Sequence, residues 1–117
     1  MASFAPTILN KIIKEKIMAY KYAFKDAVEQ TKLDVWAKGR IVPDKDGNHW
    51  DPKVWRYDFC GQPINYFEHG NTNSKHGWEI DHIKPTAKGG SDTLDNRQPL
   101  QWENNRAKGD NYPWSCP

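Results

Sequence analysis

From Thr7 to about Thr31 the chain has the apolar spacing of an amphipathic helix. No glycine or proline follows Pro6 in this stretch, and apolar residues recur at intervals of three and four while most lysines lie off them. That period matches the turn of an α-helix, and Thr7 behind Pro6 is the predicted N-cap. We predict a helix over residues 7–31 whose apolar stripe packs on its own domain or on a second copy. A membrane surface or another partner is the less favoured alternative. The stripe consists of Leu9, Ile13, Ile17, Tyr20, Phe24 and Ala27 or Val28.

Residues 32–77 are broken by prolines and glycines into short pieces joined by turns. The pair Asp51-Pro52 has the order of an N-cap followed by the first helical residue, which predicts one helical turn from Lys53 to Tyr57. The region is rich in aromatic residues, and these are expected to supply its core. The three tryptophans expected there are Trp36, Trp50 and Trp55.

Residues 77–109 have the pattern of two strands followed by a helix. Large apolar and polar residues alternate over 77–83, as in a half-buried strand. Residues 84–95 contain Pro85 and Gly89-Gly90 and predict a compact loop, and 96–100 predict a second strand. Residues 101–108 lack a breaker and end at Gly109, a typical position just after a helix. The expected fold class is α+β in a single domain.

Three residues within this unit are candidates for a metal-dependent hydrolytic site. Asp81 and His82 end the first strand, and Asn105 lies about one turn into the helix. If the two strands pair, the helix is brought over the first strand. Asp and Asn oxygens suit a hard divalent ion, and the imidazole of His82 could accept a proton from water. Each residue alone is more often structural or solvated, so the prediction depends on the set.

Composition limits the interpretation without deciding it. The net charge is +2, from 17 basic and 15 acidic residues, which permits nucleic-acid binding without indicating it. Cys60 and Cys116 fit neither a disulfide framework nor a four-ligand zinc site, so both are expected to be reduced. The N-terminus has no long uncharged apolar run, which predicts no signal peptide or membrane span. We therefore expect a cytoplasmic protein with no membrane partner.

The segment from Asp81 to Asp110, DHIKPTAKGGSDTLDNRQPLQWENNRAKGD, resembles the HNH endonuclease family. That family's pattern has Asp-His, then two residues and a proline, a Gly-Gly loop, a central Asn, and a last Asn followed by Lys-Gly-Asp. The resemblance covers about thirty residues, with the motif as a whole spanning 78–110. It implies a ββα-metal (HNH, or His-Me finger) core, to which this chain adds a long N-terminal helix and irregular aromatic segments.

The resemblance also implies a role for each matching position. His82 would be the general base, Asp81 and Asn105 the ligands of one Mg²⁺ or Mn²⁺ ion, and Asn96 would hold the loop and orient the backbone near His82. The third position is Asn, so this would be an H-N-N variant. Many relatives also hold a structural zinc with two CxxC pairs. Here Cys60 keeps one position, whereas the others are Pro63, Gln101 and Asn104, so no structural zinc is expected.

The expected activity is DNA endonuclease, most simply a nick in double-stranded DNA with weak sequence preference, giving 5′-phosphate and 3′-hydroxyl ends. The alternative is a non-catalytic or accessory module of a larger DNA-processing machine. The chain is expected to be a monomer, or a homodimer formed through the N-terminal helix. Basic residues near the site are candidate phosphate contacts, with a solvated surface as the equal alternative: Lys84, Lys88, Arg97, Arg106 and Lys108.

Overall fold

The computed structural model describes residues 4–44 and 46–117, with side chains from Ile8 onward. The chain divides into two compact units, Met1–Lys32 and Leu33–Pro117. Among the helices of the described residues, none is long and apolar enough to cross a lipid bilayer.

The first helix, α1, runs from Phe4 to Trp36 and is longer than predicted at both ends. Its start lies before Thr7, so the predicted N-cap is wrong. It continues past Thr31 because the sequence has no proline or glycine before Gly39. The last turn of α1 belongs to the second unit, where Val35 and Trp36 are buried.

The predicted apolar stripe of α1 is exposed in the single chain. The exposed fractions of its side chains range from 45% for Ile13 to 79% for Tyr20. The spacing therefore correctly predicts a helix, but the stripe adds little to the core of the described chain. Packing of this stripe on its own domain or on a second copy stays a prediction.

The core of the second unit is small and aromatic. Val35, Trp36, Ile64 and Trp78 form its buried cluster, and the rings of Trp36 and Trp78 lie 5.2 Å apart between centroids. Trp36 thus belongs to the core as predicted. Trp50, however, is 42% exposed, so its assignment to the core is wrong.

A three-stranded antiparallel sheet precedes the candidate site. Its strands are β1, Arg40–Ile41, β2, Trp55–Tyr57, and β3, Pro63–Asn65, in that order across the sheet. The helical turn predicted for residues 53–57 is wrong. Asp51 accepts bonds from the backbone of Lys53, Val54 and Trp55, which makes a turn that leads directly into β2.

The predicted order of strand, loop, strand and helix is confirmed. Strand β4, Trp78–His82, pairs antiparallel with β5, Arg97–Gln101, and α2, Trp102–Lys108, follows directly. The register places Asp81 opposite Gln98. The Gln101 side chain caps α2 by accepting from the Asn104 amide, and Gly109 ends the helix with a positive φ of 51°. The α+β class is confirmed.

A buried carboxylate connects the loop after β2 to the start of α2. Asp58 is 1% exposed, and its Oδ1 accepts from the backbone amides of Cys60 and Gln62. Its Oδ2 accepts from the Gln101 amide and the Asn104 side chain, both at 3.0 Å. One side chain therefore satisfies four donors from two distant parts of the chain.

We expect Asp58→Asn to lower the free energy of unfolding by about 2–3 kcal/mol, because one acceptor oxygen becomes an NH₂ group that faces two buried donors. Urea unfolding followed by tryptophan fluorescence measures the change. Asp95→Asn, at an exposed position, is the matched control. Equal stability of the two variants would show that the four bonds are not needed.

The two cysteines are joined rather than separate. Cys60 and Cys116 form a disulfide that ties the C-terminal tail to the loop after β2. The prediction that both are unpaired and reduced is wrong. Spacing alone could not reveal the pair, because the two residues are 56 positions apart and meet only in the folded chain.

Candidate active site

Strand β4 and helix α2 bring the three predicted catalytic positions to one pocket. Asp81 and His82 come from the end of β4, and Asn105 comes from α2 because this helix follows the strand that pairs with β4. All three line an open pocket of about 350 Å³ with mainly polar walls. Arg106 and Asp110 also line it. The fold therefore brings together Asp81, His82 and Asn105, the three residues predicted from the sequence.

Asp81 is fixed by two donors that the sequence did not suggest. It is 6% exposed, its Oδ1 lies 3.1 Å from the Lys108 ammonium, and its Oδ2 accepts from the Gln98 side chain at 3.0 Å. Lys108 also donates to the backbone oxygen of His82 at 2.9 Å. The buried carboxylate is thus paired with a cation and held in one orientation.

Lys108 does not lie where phosphate could reach it. Its side chain is 3% exposed, and its ammonium is directed to Asp81 and His82. The prediction of a phosphate contact at Lys108 is therefore contradicted. A buried carboxylate needs a counter-charge, and the last turn of α2 supplies it.

His82 is held on one side by an acidic residue of the loop. Its Nε2 lies 2.7 Å from Oδ1 of Asp92, which also accepts from Arg97 at 2.6 Å. The His82 bond, and then the Arg97 bond, hold the pKa of the Asp92 carboxyl below its usual value. Asp92 does not line the pocket. Asp92 therefore occupies Nε2 and leaves Nδ1 as the other ring nitrogen of His82.

Asn96 closes the loop between the two strands. Its Oδ1 accepts from the Lys84 amide at 2.9 Å, and its Nδ2 donates to the carbonyls of Lys84 and Ser91. Its own carbonyl accepts from Ile83, next to His82. Gly90 is required where the loop folds back, because a Cβ there would lie 1.7 Å from the Lys84 oxygen.

Asn105 is oriented by a glutamate that the sequence analysis did not include. Its Nδ2 donates to Oε1 of Glu79 at 3.1 Å, which leaves the Asn105 side-chain oxygen for another ligand. Glu79 Oε2 also lies 3.4 Å from Arg106. Alternation along β4 puts Glu79 on the same face as Asp81, and this was the signal that could have revealed it.

Comparison with known proteins identifies the family. The HNH endonuclease family matches residues 59–114, which include both strands, the loop and the helix of the pocket. This segment belongs to the HNH endonuclease family. No curated protein and no solved structure gives a significant match to the chain.

The HNH pocket contains two side chains whose oxygens are of the kind that a hard divalent ion binds. A carboxylate has about four lone-pair sites, so Asp81 can accept a further ligand beside Lys108 and Gln98, and the Asn105 oxygen is a second neutral donor. In the described part of the chain, His, Cys, Asp and Glu form no group of three or more that could hold a metal. An ion in the HNH pocket would therefore take its remaining ligands from water and phosphate.

The residues at the family's structural zinc positions do not fit zinc. Cys60 is already bonded to Cys116, Pro63 has no ligand atom, and Asn104 donates to Asp58. Zinc in such sites takes four Cys or His ligands. In this HNH domain the buried Asp58 joins the same two segments by hydrogen bonds instead.

The other predicted phosphate contacts of the HNH domain differ in their exposure and in whether an acidic side chain is paired with them. Lys84 and Lys88 are exposed. Arg97 is bound to Asp92, and Arg106 is 58% exposed at its side chain but reaches Glu79. Their contact with DNA stays a prediction.

Proposed function

We propose that this protein is a metal-dependent endonuclease that nicks double-stranded DNA with weak sequence preference. The observation that carries the proposal is the convergence of Asp81, His82 and Asn105 on one open, polar pocket within the HNH segment. A single pocket of this kind acts on one strand. Cleavage of both strands would require a second site, from a dimer or from successive nicks.

His82 would act as the general base. Because Nε2 is bound to Asp92, Nδ1 would accept the proton of the attacking water. Asp92 would hold the ring and stabilise the imidazolium that forms, and Arg97 would keep Asp92 in place. Asn96, through its bonds to Lys84, would keep the backbone beside His82 in position.

Asp81 and Asn105 would hold the metal ion, Mg²⁺ or Mn²⁺. The ion would supply positive charge for the phosphate oxygens and the leaving 3′-oxygen. Lys108 and Gln98 hold Asp81 before substrate arrives, and Glu79 does the same for Asn105. Preorganised ligands reduce the rearrangement that the reaction requires.

A plasmid assay tests this proposal. We expect supercoiled DNA to become open circular with Mg²⁺ or Mn²⁺ and to remain intact in EDTA. End-labelling should find 5′-phosphate and 3′-hydroxyl groups at the nick. Binding without any nicking in either metal would favour the alternative, a non-catalytic or accessory module. Equal nicking in EDTA would contradict metal dependence.

A further inference from the structure

The positive charge of the protein is distributed unequally along the chain. Residues 1–32 contain six lysines and three acidic residues, a net charge of +3, whereas residues 33–117 contain eleven basic and twelve acidic residues, a net charge of −1. The unit that contains the HNH pocket is therefore slightly acidic. Contacts to phosphate dominate the affinity of proteins for DNA, so this unit by itself is poorly suited to hold a polyanion.

Ion pairs within the second unit reduce its capacity further. Three of its five candidate phosphate contacts are already paired with acidic side chains of the same unit: Arg97 with Asp92, Arg106 with Glu79, and Lys108 with Asp81. Only Lys84 and Lys88 of those five are without such a pair among the described residues. These five candidates therefore leave two unpaired cations for DNA, and the excess positive charge of the chain lies in residues 1–32.

Helix α1 carries a lysine stripe that meets this need. Lys11, Lys14, Lys21 and Lys25 follow one another at intervals of three, seven and four, which places them within an arc of about 80° at 3.6 residues per turn. All four are exposed, and no ion pair involves them among the described residues. The stripe spans about 21 Å along the helix, the length of roughly six base pairs of duplex DNA.

We propose that the lysine stripe of α1 binds the phosphate backbone of the DNA substrate. This inference rests on the proposed function, because it assigns the DNA contacts of the same nuclease. The stripe offers uninterrupted positive charge without a base-reading geometry, which fits phosphate contact rather than sequence recognition. Glu15 and Asp26 lie outside its arc, and Glu29 lies one turn beyond the last lysine of the stripe and is paired with Lys32, so none of the three divides it. An anionic membrane would be bound by the same lysines. DNA is the favoured ligand because the unit that contains the HNH pocket is slightly acidic and needs positive charge from elsewhere to hold its substrate.

The test is DNA binding by the full chain in EDTA, measured by fluorescence anisotropy with a labelled duplex over a range of salt concentrations. The variant replaces Lys14, Lys21 and Lys25 with Gln. Each lost phosphate contact reduces the slope of log affinity against log salt by about 0.9, so we expect a reduction of about 2–3 and roughly hundredfold weaker binding near 0.1 M salt.

A matched variant separates the stripe from net charge. Replacing Lys16, Lys53 and Lys75 with Gln removes the same charge at exposed positions off the stripe. Its salt slope should stay within about one of the wild-type value, since few of its contacts are lost. Replacing the three stripe residues with Arg should preserve binding, and circular dichroism checks that all variants keep their helix content.

Equal slopes for the two Gln variants would overturn the inference, as would a wild-type chain that does not bind the duplex. The stripe variant could also lose binding to phosphatidylglycerol vesicles while it keeps its affinity for DNA. That result would identify a membrane surface as the ligand and would overturn the inference. The plasmid assay reports separately on the proposed function. If the wild-type protein nicks with Mg²⁺ but the stripe variant binds DNA with an unchanged salt slope, the nuclease proposal stands and the proposal for the lysine stripe fails.

Discussion

Replacing His82 with alanine should slow nicking by about 10²–10⁴-fold, the usual effect of removing a general base. The two acidic residues beside His82, Asp81 and Asp92, are held by Lys108 and Arg97, so neither is free to replace the imidazole. The affinity for DNA should not fall, since His82 is proposed to act on water and not on the phosphate. Single-turnover nicking of supercoiled plasmid in Mg²⁺, beside anisotropy in EDTA, measures both quantities.

The control is His49→Ala, the same substitution at an exposed position outside the pocket. It should nick at the wild-type rate. A His82→Ala variant that cuts as fast as wild type would contradict the proposed mechanism. A variant that is slow only because it binds DNA poorly would reassign His82 from proton transfer to substrate binding.

The local part of the site could be predicted from sequence because its information lies within about thirty residues. Alternation over residues 78–82 sets the strand, and Gly109 marks the helix end. Once β4 and β5 pair, Asp81, His82 and Asn105 have to come close, since a two-strand unit followed directly by a helix allows few other arrangements. The family resemblance then assigned roles to positions that local pattern had already brought together.

The parts that sequence could not predict are contacts between distant positions. Asp58 meets Gln101 across 43 residues, and Cys60 meets Cys116 across 56. No periodicity encodes such pairs, since they arise only when separate elements pack. The same holds for the aromatic core, where Trp36 at the end of α1 is buried and Trp50 is exposed, although both were predicted to supply the core.

Lys108 shows how a residue type can mislead. Lysine is almost never fully buried unless it is paired, so a surface role was the reasonable expectation. The deciding factor was Asp81, a carboxylate that becomes buried in β4 and needs a cation. Spacing did contain a signal, since Lys108 lies three residues after Asn105 and so on the same side of α2.

The buried pair of Lys108 and Asp81 leads to the largest expected effect on stability. Lys108→Met keeps most of the aliphatic part of the buried side chain. It leaves the charge of Asp81, which is 6% exposed, without its partner. Breaking a buried ion pair from one side typically costs about 3–5 kcal/mol. Since small domains have a total stability of roughly 5–15 kcal/mol, urea unfolding should show a large loss.

Two further variants show whether the cost comes from the orphaned charge. Lys84→Met, at an exposed position of the same domain, should change the free energy of unfolding by no more than about 0.5 kcal/mol. Adding Asp81→Asn to Lys108→Met removes the unpaired carboxylate, so the double variant should be more stable than Lys108→Met alone. If Lys108→Met is as stable as Lys84→Met, Lys108 does not neutralise Asp81. If the double variant is no more stable than Lys108→Met alone, the cost does not come from the unpaired Asp81 charge.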